Sequence, residues 1–120
     1  MNKKTVILGA TPDPSRYAWK AAQRLTQYGH EIVPVGIKTG EVFGKTILNG
    51  QPEISGTDTV TLYVGPQHQK NLYEYILRLK PKRVIFNPGT ENEELMGLLE
   101  KYNIEVVEGC TLVMLASGQY

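Results

Sequence analysis

Residues 9–16, Gly9-Ala10-Thr11-Pro12-Asp13-Pro14-Ser15-Arg16, have the types and spacing that suit a phosphate-bearing ligand. They follow the apolar run Thr5-Val6-Ile7-Leu8 and precede a helical pattern, which makes them the first strand-to-helix turn. Small residues let a ligand approach the backbone, and a helix N-terminus offers unpaired N–H groups with partial positive charge. Thr11 and Ser15 add hydroxyl donors, and the Arg16 guanidinium can fork onto a phosphate. The plainer alternative is that Gly9 only makes a tight turn and Asp13 only caps a helix.

An ordinary NAD site fits this turn less well. The G-x-G-x-x-G fingerprint is missing, because Thr11 and Asp13-Pro14 occupy the region where further glycines would fall. The ribose-binding carboxylate expected after the second strand is missing too; the chain there reads Pro34-Val35-Gly36-Ile37-Lys38. A cation in place of the acid suits a second phosphate, such as one esterified to an adenosine ribose, and NADP stays open on that reasoning. A phosphoacceptor receiver domain is disfavoured, since no acid ends the first or third main strand.

Other reactive side chains read as structural. His68, at a helix start after Gly65-Pro66, reads as facing solvent rather than a ligand. Cys110 is the only cysteine, and no neighbouring cation or histidine in sequence lowers its pKa, so it reads as unreactive. Glu91, Glu93 and Glu94 suit a helix dipole rather than a catalytic carboxylate pair. Trp19 and the tyrosines read as packing and surface residues, with Tyr17 the one that adjoins the turn. No catalytic residue and no metal site stand out.

The elements that must position these residues alternate between β-rich runs and helical patterns, the signature of parallel βαβ units. A helix is predicted from Pro14 to Tyr28, with Asp13 as N-cap, Pro14 at its first position and Gly29 as its left-handed stop. Glu31 to Val35 reads as a strand at or near an edge, since Pro34 cannot donate to a ladder. A glycine-containing loop follows, with a short strand around Thr46 to Leu48. Thr59 to Val64 reads as a strand, His68 to Leu79 as a helix stopped by Pro81, and Arg83 to Phe86 as a strand. Thr90 to Glu93 has the pattern of a capping box, opening a helix with Leu95, Leu98, Leu99 and Tyr102 as its apolar stripe. Ile104 to Val107 reads as the last strand, followed by an apolar tail. The fold expected is a three-layer, Rossmann-like α/β domain with a mostly parallel sheet of about five strands and helices on both faces. Right-handed crossovers place the first strand at its centre, beside the switch point where such sheets bind ligands.

With 120 residues, the chain is expected to form a single domain over 1–120, without length for a separate catalytic domain. Lysine plus arginine number 13 against 12 acids, so the charge gives no support for nucleic acid or an anionic membrane as partner. The opening apolar run is too short for a signal peptide or a membrane span, and a reducing, cytoplasmic setting is expected.

Taken in order, several segments resemble the small CoA-binding proteins of Rossmann-like fold, which are similar to the N-terminal domain of the succinyl-CoA synthetase α subunit. They are Val6-Ile7-Leu8-Gly9-Ala10-Thr11 with Pro14, Ser15 and Arg16, then Gly29 to Val35, Asn87 to Glu94, and Val106-Val107 with Cys110. The resemblance implies CoA lying across the C-terminal ends of the strands. Gly9, Ala10, Thr11, Pro14, Ser15 and Arg16 would then form the phosphate turn, with Lys38 at the adenosine phosphate end. Val64, Gly65 and Pro66 would flank the adenine or pantetheine arm, and Pro88 and Gly89 would add wall. Family members often carry Trp and Gln where this chain has Phe86, Asn87 and Pro88, and the synthetase's phosphohistidine domain has no counterpart here. The function implied is a stand-alone binder of CoA or acyl-CoA, more in keeping with a binding module than an enzyme. The alternatives are an NADP-binding oxidoreductase or redox sensor, one half of an acyl-CoA ligase completed by another chain, and an interaction domain without ligand. A homo-oligomer or protein partner stays open, as does exchange of Cys110 with the CoA thiol.

Overall fold

In the computed structural model, which describes residues 2–120, the chain runs β1 (Thr5–Leu8), α1 (Tyr17–Gln27), β2 (Ile32–Val35), β3 (Glu41–Val42), β4 (Lys45–Thr46) and β5 (Thr59–Leu62). It continues through α2 (Tyr73–Leu79), β6 (Arg83–Phe86), α3 (Glu93–Lys101), β7 (Glu105–Glu108) and α4 (Thr111–Ala116). Five strands pair in parallel in the order β2-β1-β5-β6-β7, and β3 and β4 form a separate antiparallel hairpin. The expected three-layer Rossmann-like architecture is therefore present. The middle strand is β5, however, and not the first strand. Only β2 lies outside β1, whereas β6 and β7 both add beyond β5. The direction of winding reverses between β2 and β5, so the switch point is beside β1 all the same.

Strand alternation sorts the buried residues onto two faces. Val6, Leu8, Val60, Leu62, Val84 and Phe86 pack with Ile76 of α2 and Leu95 and Leu99 of α3. Ile7 packs on the other face with Ala18, Ala22 and Leu25 of α1 and Leu115 of α4. Leu25 is 0% exposed, a burial that stabilises by about 2 kcal/mol. Strand β2 is an edge, as Pro34 predicts. The main-chain oxygens of Glu31 and Val35 face β1 and accept from Thr5 and Gly9, which leaves the main-chain groups of buried Pro34 on the side away from β1. Its oxygen accepts the Leu48 N–H there at 2.9 Å, and the missing proline donor costs nothing.

Several expected boundaries move. Helix α1 starts at Tyr17 rather than Pro14. Asp13 accepts the Ser15 N–H as a cap would and Arg16 N–H bonds Asp13 O, but that single turn ends at Arg16, whose extended backbone makes it the N-cap of α1. Its end follows the prediction: Gly29 has φ +84°, with His30 N–H bonded to Leu25 and Gly29 N–H to Thr26 in a Schellman arrangement. The helix expected from His68 is broken into 3₁₀ turns at Pro66–His68 and Lys70–Leu72 before α2 begins. Buried Gln69 sits between those turns and donates from Nε2 to the oxygens of both Val64 and Thr90, at 2.8 Å each. The capping box is replaced by an Asn92 cap, which accepts from Leu95 N–H at 3.2 Å. The Thr90 hydroxyl donates backwards to Asn87 O instead. Tyr102 is 59% exposed and lies off the apolar stripe. The apolar tail is helix α4, packed against α1.

Candidate functional site

The loops after β1, β2 and β5 meet backbone to backbone at the C-terminal end of the sheet. Gly9 and Ala10 both donate their N–H to Val35 O, at 2.9 and 3.1 Å, and Tyr63 N–H donates to Leu8 O at 2.8 Å. Gly9 has φ +95°, and a Cβ there would stand 2.6 Å from Tyr63 O. A Cβ on Gly36 would stand 2.6 Å from Ala10 O. These two glycines are set by close approach of main chains as well as by turn geometry.

Ala10 is buried against the sheet, and the first turn presents its later residues outward. Thr11 is half-buried, and Asp13, Pro14, Ser15 and Arg16 are exposed. The first intrahelical bond of α1 runs from Lys20 N–H to Arg16 O, so the N–H groups of Tyr17, Ala18 and Trp19 precede it with no side-chain cap. That end is open to an anion. Ser15 differs from its expected role. Its N–H and hydroxyl both donate to Asp13 Oδ1, at 3.0 and 2.8 Å, so a carboxylate already uses these donors. Those bonds hold the Asp13 carboxyl below the usual carboxylate range, first through the Ser15 N–H and then its hydroxyl, with help from the charges of Arg16 and Lys38.

Lys38 lies 29 residues from the start of this turn, yet its loop returns to it. The fold brings it there by laying loop 36–40 over the turn, with a Cβ on Gly40 only 3.3 Å from Pro12. Exposed Arg16 thus stands at the uncapped end of α1, and the loop that carries exposed Lys38 lies over the same turn at Pro12; the chemistry these suit is recognition of anionic groups.

The second wall begins at Val64 and Gly65, both half-buried, followed by exposed Pro66. Pro88 and Gly89 are exposed at the end of β6, with Gly89 N–H donating to Glu91 at 2.9 Å. Two buried amides hold this wall and were not singled out by sequence. Gln69 is 0% exposed and ties the Val64 and Thr90 loops together, while Asn92 donates to its oxygen. Asn87 is 2% exposed; it donates to Thr61 Oγ1 and Leu62 O and accepts from Thr111 N–H. The position of Asn87 at a strand end was the available signal; nothing in sequence marked Gln69. Burial pushes the Tyr63 phenol far above its ordinary range, and half-buried Cys110 is near enough to contribute to that shift. His68 is exposed, as expected.

Two surface hollows, of about 430 and 720 Å³, lie elsewhere and include none of the predicted site residues. Arg16 and Lys38 are both on the open surface and not inside a cavity. Among the described residues, no group of three or more His, Cys, Asp or Glu comes together to hold a metal, and no helix is long and apolar enough to cross a membrane.

A family model described as a CoA binding domain matches residues 3–116. The chain belongs to the CoA binding domain family. No curated protein matches it. A solved structure of an uncharacterised protein is 63% identical, covering 100% of this chain and 99% of that chain with a TM-score of 0.98. The cell-free ID.343 protein from Thermus thermophilus is 23% identical, covering 98% of this chain and 90% of that one, with a TM-score of 0.87. A hypothetical protein from Pyrococcus horikoshii OT3 is 25% identical, covering 96% and 82%, with a TM-score of 0.85. Membership of the CoA binding domain family accords with the resemblance read from the first turn and the later strand ends.

Proposed function

We propose that this chain is a stand-alone binder of CoA or an acyl-CoA, without catalysis of its own, working in a cytoplasmic setting as one domain over 1–120. The observation that carries this reading is the uncapped N-terminus of α1, with Arg16 at its cap position and the loop of Lys38 laid over the same turn. A CoA-type ligand carries a pyrophosphate and a separate ribose phosphate, which two cationic points and free N–H groups suit. Gly9, Ala10, Thr11, Pro14, Ser15 and Arg16 form the pyrophosphate side, and Lys38 takes the ribose phosphate. Val64, Gly65 and Pro66 flank the arm, with Pro88 and Gly89 as the further wall.

On this reading, part of the first turn must rearrange. Asp13 is an anion beside the pyrophosphate position, so Ser15 becomes a ligand donor only as Asp13 releases it. Lys38 also favours one second reading, NADP, whose ribose carries a phosphate on a different oxygen. Isothermal titration with CoA, 3′-dephospho-CoA, NADP and NAD separates the two. We expect CoA to bind most tightly and loss of its 3′-phosphate to weaken binding. Preference for NADP or NAD over CoA refutes the proposal. A ligase half is distinguished by a larger ATP-binding partner that co-purifies with the chain.

A further inference from the structure

We propose that Asn49 is a positioning residue that gives the site its selectivity for a phosphorylated ribose, by fixing the loop that carries Lys38. The inference rests on the CoA reading above and deepens it.

Loop 36–40 is anchored at its two ends. Gly36 is pressed against the first turn and donates its N–H to Leu48 O at 3.0 Å, while Gly40 covers Pro12 and accepts from Ile47 N–H at 2.8 Å. Between these anchors Ile37, Lys38 and Thr39 make no main-chain hydrogen bond to another main-chain group. Packing does not hold them either, since Ile37 is 92% exposed. One side chain spans the gap. The Asn49 Nδ2 group donates to Gly36 O at 2.5 Å and to Lys38 O at 3.0 Å. Asn49 is in turn seated on the sheet, because its neighbour Leu48 bridges Val35 and donates its N–H to Pro34 O.

A loop residue free to explore its backbone wells costs about 1–2 kcal/mol to order. A lysine adds a flexible side chain, so a cation on an unheld loop contributes little to selectivity. Asn49 meets part of the ordering cost before the ligand arrives. It therefore affects only a ligand with an anion at Lys38, and leaves the pyrophosphate contacts of the first turn unchanged.

The test is titration of wild type, Asn49→Ala, Lys38→Ala and the double variant with CoA and 3′-dephospho-CoA. Asn49→Ala is expected to weaken CoA about tenfold, while 3′-dephospho-CoA stays within about twofold. In the Lys38→Ala background it should cost CoA nothing further, a non-additivity that a purely structural role would not give. Equal weakening of both ligands, an unchanged ratio, or additive losses overturns the inference. Wild type that binds neither ligand refutes the CoA reading instead, so the two failures are distinct. Melting curves check folding; should Asn49→Ala not fold, Asn49→Ser repeats the test with a side chain too short to reach both carbonyls.

Discussion

Replacing Asn87 with alanine should uncouple α4 from the sheet without touching the outer surface of the candidate site. The amide is 2% exposed and makes three bonds: to Thr61 Oγ1 at 2.7 Å, to Leu62 O at 2.8 Å and from Thr111 N–H at 2.9 Å. Thr61 keeps a partner in Thr111 Oγ1 at 2.8 Å, so the hydroxyl is not orphaned. The Thr111 N–H loses its acceptor, and Leu62 O loses a donor. Each buried group left unpaired costs about 1–3 kcal/mol, which makes the expected loss about 3 kcal/mol. An unfolding entropy of about 2.1 cal/mol/K per residue over 120 residues makes each kcal/mol worth about 4 °C. The expected fall in Tm is therefore about 12 °C, read by calorimetry, with fast amide exchange at Thr111 as a local signature. Asn87→Asp keeps the acceptor for Thr111 but loses both donors and buries a charge. It should be the less stable variant at neutral pH and recover as pH falls. A fall below about 4 °C for Asn87→Ala, with Thr111 still protected, would falsify the account of Asn87 as the tie between β5, β6 and α4.

Gly9→Ala meets both a positive φ and the Tyr63 oxygen 2.6 Å from its Cβ, and should cost at least about 2 kcal/mol in urea denaturation. Gly44→Ala, at φ +81° with open space around it, should cost clearly less; equal losses would remove the close-approach argument. Asp13→Asn removes an anion that competes for Ser15, and CoA affinity should rise about threefold at low salt, with weaker binding as the contrary result. Because the folded pKa of Asp13 is depressed, the stabilisation from its Ser15 bonds is present above the unfolded value. It is lost only as pH falls through the lowered folded value. Burial above all, with nearby positive charges that include Lys3 and Arg83, lowers the pKa of His30, whose Nδ1 accepts the Lys3 N–H at 2.9 Å. Between the lowered value and about 6.5 the unfolded chain binds more protons, so stability is complete above that window and falls as pH drops through it. His30→Gln should flatten this slope in urea midpoints measured from pH 7 to 5, and an unchanged slope would locate the effect elsewhere.

Local chemistry determined the elements that anchor the fold. The β-rich runs at Thr5, Ile32, Thr59 and Arg83, the glycine stop at Gly29, the edge character imposed by Pro34 and the break at Pro81 were all legible, because each rests on a residue's own backbone limits or on strand periodicity. The first turn was legible as a place, between a strand and a helix. Its internal wiring was not. Asp13 does accept the Ser15 N–H as an N-cap would, but only the folded geometry ends that turn at an extended Arg16 and starts the helix after it. The same holds at α3, where Thr90 and Glu93 match a capping box in spacing while Asn92 takes the cap. Competition between nearby acceptors for one N–H is decided by angles that residue order does not record.

Tertiary structure alone decided which distant residues meet. The loop of Lys38 lies on the first turn because Gly36 and Gly40 let the two main chains approach closely. Gln69 and Asn87 became buried ties because loops from three strand ends leave main-chain groups that must find partners away from water. An amide in sequence reads as surface; what buries it is the unmet bonding of the backbone around it. The strand order follows the same logic. Periodicity identifies five strands, but the crossovers after β5 all add to one side, and that choice makes β5 the middle strand while leaving the switch point beside β1.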